Sequence, residues 1–154
     1  MTPSHFNTEQ RSESSLGNNS VTVGMKQASE DDLMAVLLWL LDEYKATGIS
    51  FWSNAHLIVQ DQSRGRLWVL FDERLDVPVG FHCPKILASH WQWRGKGIGG
   101  ALVDHIEKMA RDKGETELHI ESLWPALRFW ERHGYSPVTT PSHMHTISLV
   151  KKLR

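Results

Sequence analysis

The chain has 154 residues and a net charge of −1 with histidines neutral, enough for one compact domain and too short for two. So balanced a charge leaves no overall field for nucleic acid or an anionic membrane surface, and any basic site has to be local. The lone cysteine, Cys83, excludes an intrachain disulfide framework and suits a reducing compartment. The longest apolar stretch, residues 33–41, is flanked by acids and too short to cross a bilayer, so a cytoplasmic protein is expected.

Residues 1–19 are polar and aperiodic and read as a disordered tail, with a single domain over 20–154. Val21, Val23 and Met25 alternate with Thr22, Gly24 and Lys26 as a first strand. Ser29-Glu30-Asp31-Asp32 is a cap with an acidic first turn. Leu33, Val36, Leu37, Leu40, Leu41 and Tyr44 then keep helical spacing up to Gly48. Residues 53–64 are read as a second helix capped near Ser53. Strands are predicted at 66–72 and 77–82 around a turn at 73–76, and a third at 86–91. From Gly97 the period changes: Ile98, Ala101, Leu102, Ile106, Met109 and Ala110 share a helical face that Lys113-Gly114 ends. A strand at 117–121, a short helix opened by Pro125 and ended by Gly134, and a last strand over 145–153 complete a mixed α/β (α+β) order.

The stretch Trp93-Arg94-Gly95-Lys96-Gly97-Ile98-Gly99-Gly100 falls between a strand end and the start of that long helix. First-turn N–H groups lack carbonyl partners there and the helix dipole is positive, so an anion is favoured. The glycines let it approach the main chain, and Arg94 and Lys96 add charge and donors. Gly95-x-Gly97-x-x-Gly100 formally matches a dinucleotide fingerprint, but antiparallel hairpins precede it. A Walker loop fails because His90 occupies its first glycine.

At these residues the sequence resembles the GNAT family of N-acetyltransferases. Arg94, Gly97 and Gly99 match its acyl-CoA signature, and Ala126 to Tyr135 is similar to its late A-x-x-F-Y-x-x-x-G-F motif. The resemblance implies a mostly antiparallel sheet flanked by helices and acetyl-CoA as cosubstrate, its diphosphate held by Arg94, Gly95, Lys96, Gly97, Ile98, Gly99 and Gly100. It also implies main-chain contacts from Leu87, Ala88 and Ser89, with an N–H near Leu87 as oxyanion donor, and the strand at 117–121 as the splayed partner.

Attack by an amine on a thioester needs a proton acceptor, because an alkylammonium of pKa near 10.4 is protonated at pH 7. His82, His90 and Glu121 are the candidates, and the sequence leaves the choice open. The family often carries a tyrosine where Trp130 stands and an asparagine where Leu123 stands. Tyr135 could replace that acid, although its motif position is a core one.

Tryptophans 52, 68, 91, 93 and 124 with Asp72, Glu73 or Glu121 would suit a cationic amine. His143-x-His145 lacks further ligands, so no metal is expected. The expected partner is a small-molecule or protein amine, without nucleic acid or membrane; a homodimer is left open, as is a CoA-binding module without turnover.

Overall fold

The structure, a computed structural model, describes residues 10–12, 23–138 and 146–153. Five strands pair antiparallel in chain order: β1 (Gln10–Ser12), β2 (Val23–Gln27), β3 (Trp68–Asp72), β4 (Val77–Cys83) and β5 (Ile86–Ser89). In a second sheet β8 (Thr146–Lys152) lies between β6 (Glu117–Leu123) and β7 (Ser136–Pro137), also antiparallel. The sheets meet where β5 runs beside β6. Among the described residues one backbone hydrogen bond joins them, from the Glu121 N–H to the Lys85 carbonyl at 2.7 Å.

Helices cover both faces. On one, α1 (Glu30–Thr47) and α2 (Ala55–Ser63) bury Leu33, Val36, Leu40 and Ile58 against Phe81, Ile86 and Ala88. On the other, α3 (Ile98–Asp112) and α4 (Leu127–Arg132) bury Ile98, Leu102, Ile106 and Trp130 with Val79, Leu87, Leu118 and Ile120. Along β5 the two lists follow the alternation of side chains, with 86 and 88 on one face and 87 on the other, whereas Val79 and Phe81 of β4 part to opposite faces at the irregularity that pairs Leu70 with Gly80 and Phe71 with Pro78.

The start of α1 is set by a capping box. The Ser29 hydroxyl accepts from the Asp32 N–H at 3.1 Å, and the Asp32 carboxylate accepts from the Ser29 N–H at 2.9 Å. Such a cap contributes about 1 kcal/mol. Gly48, left-handed at φ 78°, ends the helix as its spacing predicts.

Several boundaries differ from the sequence reading. Gln10–Ser12 pairs with β2, so these three residues of the supposed disordered tail add an edge strand; the rest of that tail, with Val21 and Thr22, lies outside the described residues. The cap before the second helix is Ser50, whose hydroxyl accepts from Trp52 N–H and opens a 3-10 turn at Phe51–Asn54. The third strand stops at Ser89, because residues 91–93 coil into a 3-10 turn. Pro125 likewise sits in a 3-10 turn, before α4. No described helix is long and apolar enough to cross a membrane.

Candidate active site

Backbone geometry at the end of β5 defines the site. The His90 N–H donates to the Val79 carbonyl at 2.7 Å, in line with the β4–β5 register. Antiparallel pairs alternate between bonded and non-bonded, so Phe81/Ala88 and Cys83/Ile86 are bonded pairs, while Gly80/Ser89 and His82/Leu87 are not. The N–H and C=O groups of Leu87 and Ser89 therefore point away from β4, towards β6, on the same edge as the Lys85 carbonyl. Beyond the Glu121–Lys85 bond no backbone bond closes that edge among the described residues. Leu87 fits the expected main-chain donor. Ala88 does not share this role, because its backbone groups serve Phe81.

The open edge leads to the N-terminus of α3. Gly95 (φ 85°) and Gly97 (φ 80°) are both left-handed, a conformation that costs an L side chain about 1–2 kcal/mol. The first intrahelical bond back to the loop runs from the Ala101 N–H to the Gly97 carbonyl, so the amides of Ile98, Gly99 and Gly100 have no helical acceptor. The first turn of α3 holds no acidic residue. Lys96 enters no ion pair among the described residues. Free amides, a positive helix end, an unpaired cation and no acid suit a diphosphate.

Two residues of the motif have other tasks. A Cβ on Gly99 would stand 2.9 Å from the Phe129 ring, so that glycine admits α4 against α3 rather than a phosphate. Arg94 turns its guanidinium to the buried Glu43 on α1 at 2.9 Å, with a second, longer contact to the Ser89 carbonyl at 3.5 Å. It thereby ties the loop to α1 and to the end of β5. Burial raises the Glu43 pKa, and the charge and hydrogen bond of Arg94 oppose that rise.

The three candidate bases do not converge. His90 packs on the Trp39 ring of α1 at 4.9 Å between centroids, and its Nδ1 accepts from the Gln92 N–H at 3.1 Å. That lone pair is engaged, so the neutral ring presents an Nε2 proton and acts as a donor. Burial, then Arg94, lowers its pKa, with Asp42 opposing. Glu121 projects to the α1 face, opposite Leu118 and Ile120, and its carboxylate accepts from the hydroxyls of Ser148 and Thr146 on β8. Its own N–H closes the vertex between the sheets.

His82 is elsewhere, buried under α3 with its Nε2 2.8 Å from the Nδ1 of His105. Burial, then the facing imidazole and Lys113, lower its pKa to about 3, and burial with Lys108 lowers that of His105 to about 4, both from 6.5. With folded values below the unfolded one, the unfolded chain takes up protons first as pH falls. The stability this pair contributes is whole above about pH 6.5 and is lost from there towards pH 3–4. Between pH 7 and 4 the melting temperature should drop by roughly ten degrees on this account. In the His82→Leu/His105→Leu double variant most of that slope should vanish; an unchanged slope in circular-dichroism melts refutes the assignment.

Sequence reasoning missed Glu43 and His105, although both keep helical spacing with buried apolar neighbours, Leu40 with Glu43 and Leu102 with His105 and Ile106. It also missed the polar cluster around Tyr135, which is buried and donates to Glu107 at 2.8 Å, with Lys151 on the same carboxylate at 3.0 Å. Burial and Glu107 drive the Tyr135 pKa up, so this phenol is a core group and not the missing acid. Trp130 is buried edge-on to Phe129 and Tyr135. Asp72 is fully buried and caps the β3–β4 turn through the Arg74 and Leu75 N–H groups, so it walls no cleft. Trp68 lies against His105, on the α3 face. Trp124 is exposed just past the end of β6. His143 and His145 lie outside the described residues, and no group of three or more metal-ligating side chains forms among the described ones.

The family model of the GNAT acetyltransferase domain matches residues 56–137, more than half of the chain. The chain belongs to the GNAT acetyltransferase family. Its fold is similar to that of the PaiA N-acetyltransferase of Thermoplasma acidophilum, solved in complex with coenzyme A: TM-score 0.61, 18% identity, covering 84% of this chain and 98% of that one. A GNAT-family acetyltransferase from Listeria monocytogenes gives a TM-score of 0.66 at 12% identity, with 91% and 100% covered. A chain of the NatC complex, solved with Gag peptide and CoA, gives 0.62 at 15%, with 86% and 99% covered. No curated protein matches the sequence. In this GNAT chain the matched segment runs from α2 to β7 and contains β5, the glycine loop and α3.

Proposed function

We propose that this GNAT chain transfers the acetyl group of acetyl-CoA to a primary amine of a small molecule, in a ternary complex and by direct attack, with residues 20–154 as its catalytic domain. One observation carries the reading: the unpaired edge of Leu87 and Ser89 runs directly into the acid-free N-terminus of α3. The amides of 95–100 and Lys96 would hold the diphosphate, and the Leu87 N–H would face the thioester carbonyl. The amine nitrogen bonds to the carbonyl carbon as the C–S bond breaks. Coenzyme A departs as a thiolate, which a thiol pKa near 8.5 permits, so neither Trp130 nor Leu123 has to supply an acid. The amine's proton passes to Glu121 through water.

A small acceptor is favoured because α1 is drawn down on the end of β5 by the Arg94–Glu43 pair and by Trp39 against His90. A helix held there would narrow the approach to the thioester, which supports a small acceptor over a peptide. Calorimetry with acetyl-CoA, followed by thiol release with small primary amines and with lysine-bearing and free N-terminal peptides, is the test. Turnover of small amines is expected. Turnover of peptides alone would transfer the reading to a protein acetyltransferase, and binding without thiol release to a CoA-binding module.

A further inference from the structure

A cavity of about 130 Å³ lies at the C-terminal end of α3, lined in part by Trp68, His82, Met109 and Lys113. From Gly97 to Lys113 the helix rises about 24 Å, so the cavity is remote from the glycine loop. One ring-sized molecule fills such a volume, since an engineered apolar cavity of about 150 Å³ takes up benzene.

Its polar floor is a histidine with one nitrogen left over. His82 is 3% exposed, and its Nε2 is engaged with His105 Nδ1. The Nε2 of His105 is buried with no partner among the described residues. If His82 Nε2 carried the shared proton, neutral His105 would hold its own on that partnerless nitrogen. A buried orphan N–H is rarer than a buried orphan acceptor. In the other tautomer the shared proton sits on His105 Nδ1 and that of His82 on Nδ1, for which no hydrogen bond forms among the described residues, so an acceptor beside His82 would favour this arrangement. His82 lines the cavity, so an acceptor held there is within its surroundings and would complete the pair.

Charge at the rim points the same way. Lys113 enters no ion pair among the described residues. Arg66 is paired with Asp61 at 3.0 Å, and Glu115 is the opposing carboxylate on the lining. An aromatic wall, a neutral N–H donor at the floor and an unpaired ammonium at the rim match a ring bearing one carboxylate.

We infer that this cavity binds a small aromatic monocarboxylate, at a site separate from the acetyl-CoA loop and independent of the transfer reaction. The probe is benzoate, added to the full chain without coenzyme and followed by tryptophan fluorescence and by the ring ¹⁵N shifts of His82. Saturable binding that moves the His82 Nδ1 signal is expected, with benzylamine at least about tenfold weaker. Lys113→Glu should weaken benzoate about tenfold, whereas Glu115→Gln should strengthen it. Met109→Trp should abolish it by filling the space, with the fold checked by circular dichroism. The inference is overturned if benzoate leaves the His82 signal unmoved, if benzylamine binds as well, or if folded Met109→Trp binds undiminished.

Discussion

Gly100→Glu is expected to weaken acetyl-CoA binding by about a hundredfold or more while raising the melting temperature slightly. The two effects separate because the same carboxylate meets two different electrostatic demands. Position 100 is the third residue of α3, where a glutamate reaches back over the orphan amides and complements the helix dipole. The Cβ has room, its nearest neighbour being His133 Cε1 at 3.9 Å, and glycine costs a helix interior about 1 kcal/mol relative to a good helix former. The free protein should therefore gain. A diphosphate seeking the same amides meets a fixed negative charge instead, and like charges about 4 Å apart repel by up to ~4 kcal/mol at a near-surface dielectric. Gly100→Gln supplies the control: similar stability, with most of the affinity returned. Calorimetric affinity in the glutamate variant within threefold of the parent would move the diphosphate away from this helix end.

Local signals in the sequence were enough for this loop. Gly95 and Gly97 stand where two left-handed turns precede a helix, and the Ser29 box and Gly48 bracket α1, each within a few residues of chain. Contacts across long separations were not legible. Arg94 reads as a phosphate ligand until Glu43, 51 residues upstream, is seen to hold it. Gly99 reads as clearance for a ligand until Phe129 is placed against it. Ala88 reads as equivalent to its neighbours because β5 is apolar on both faces, and such a run has no visible parity. Only the β4 register shows which backbone groups face the gap. His82 fails as a base for the same reason: in a strand buried on both sides, its direction under α3 is set by pairing and not by pattern.

Glu121→Gln should lower kcat about a hundredfold at pH 7 and leave the affinity for acetyl-CoA within twofold. The glutamine keeps one oxygen to accept from one of the two hydroxyls, Ser148 or Thr146, turns its N–H groups to the oxygen of the other, and keeps the backbone bond to Lys85, so the vertex between the sheets is preserved. The variant loses the negative charge and the capacity to take a proton. Of the three candidates, His82 is buried under α3 beside the remote cavity and His90 has its free lone pair on the Gln92 N–H; the Glu121 carboxylate has lone pairs beyond its two hydroxyl bonds, and its N–H stands at the vertex of the gap. Without a base the reaction depends on amine already neutral in solution, which for a pKa near 10.4 rises tenfold with each pH unit. The variant's rate should climb with that slope towards pH 9 and recover much of its deficit, while the parent profile flattens earlier. A loss under threefold at pH 7, or a larger loss in His90→Gln with coenzyme affinity intact, would transfer the proton to a different group.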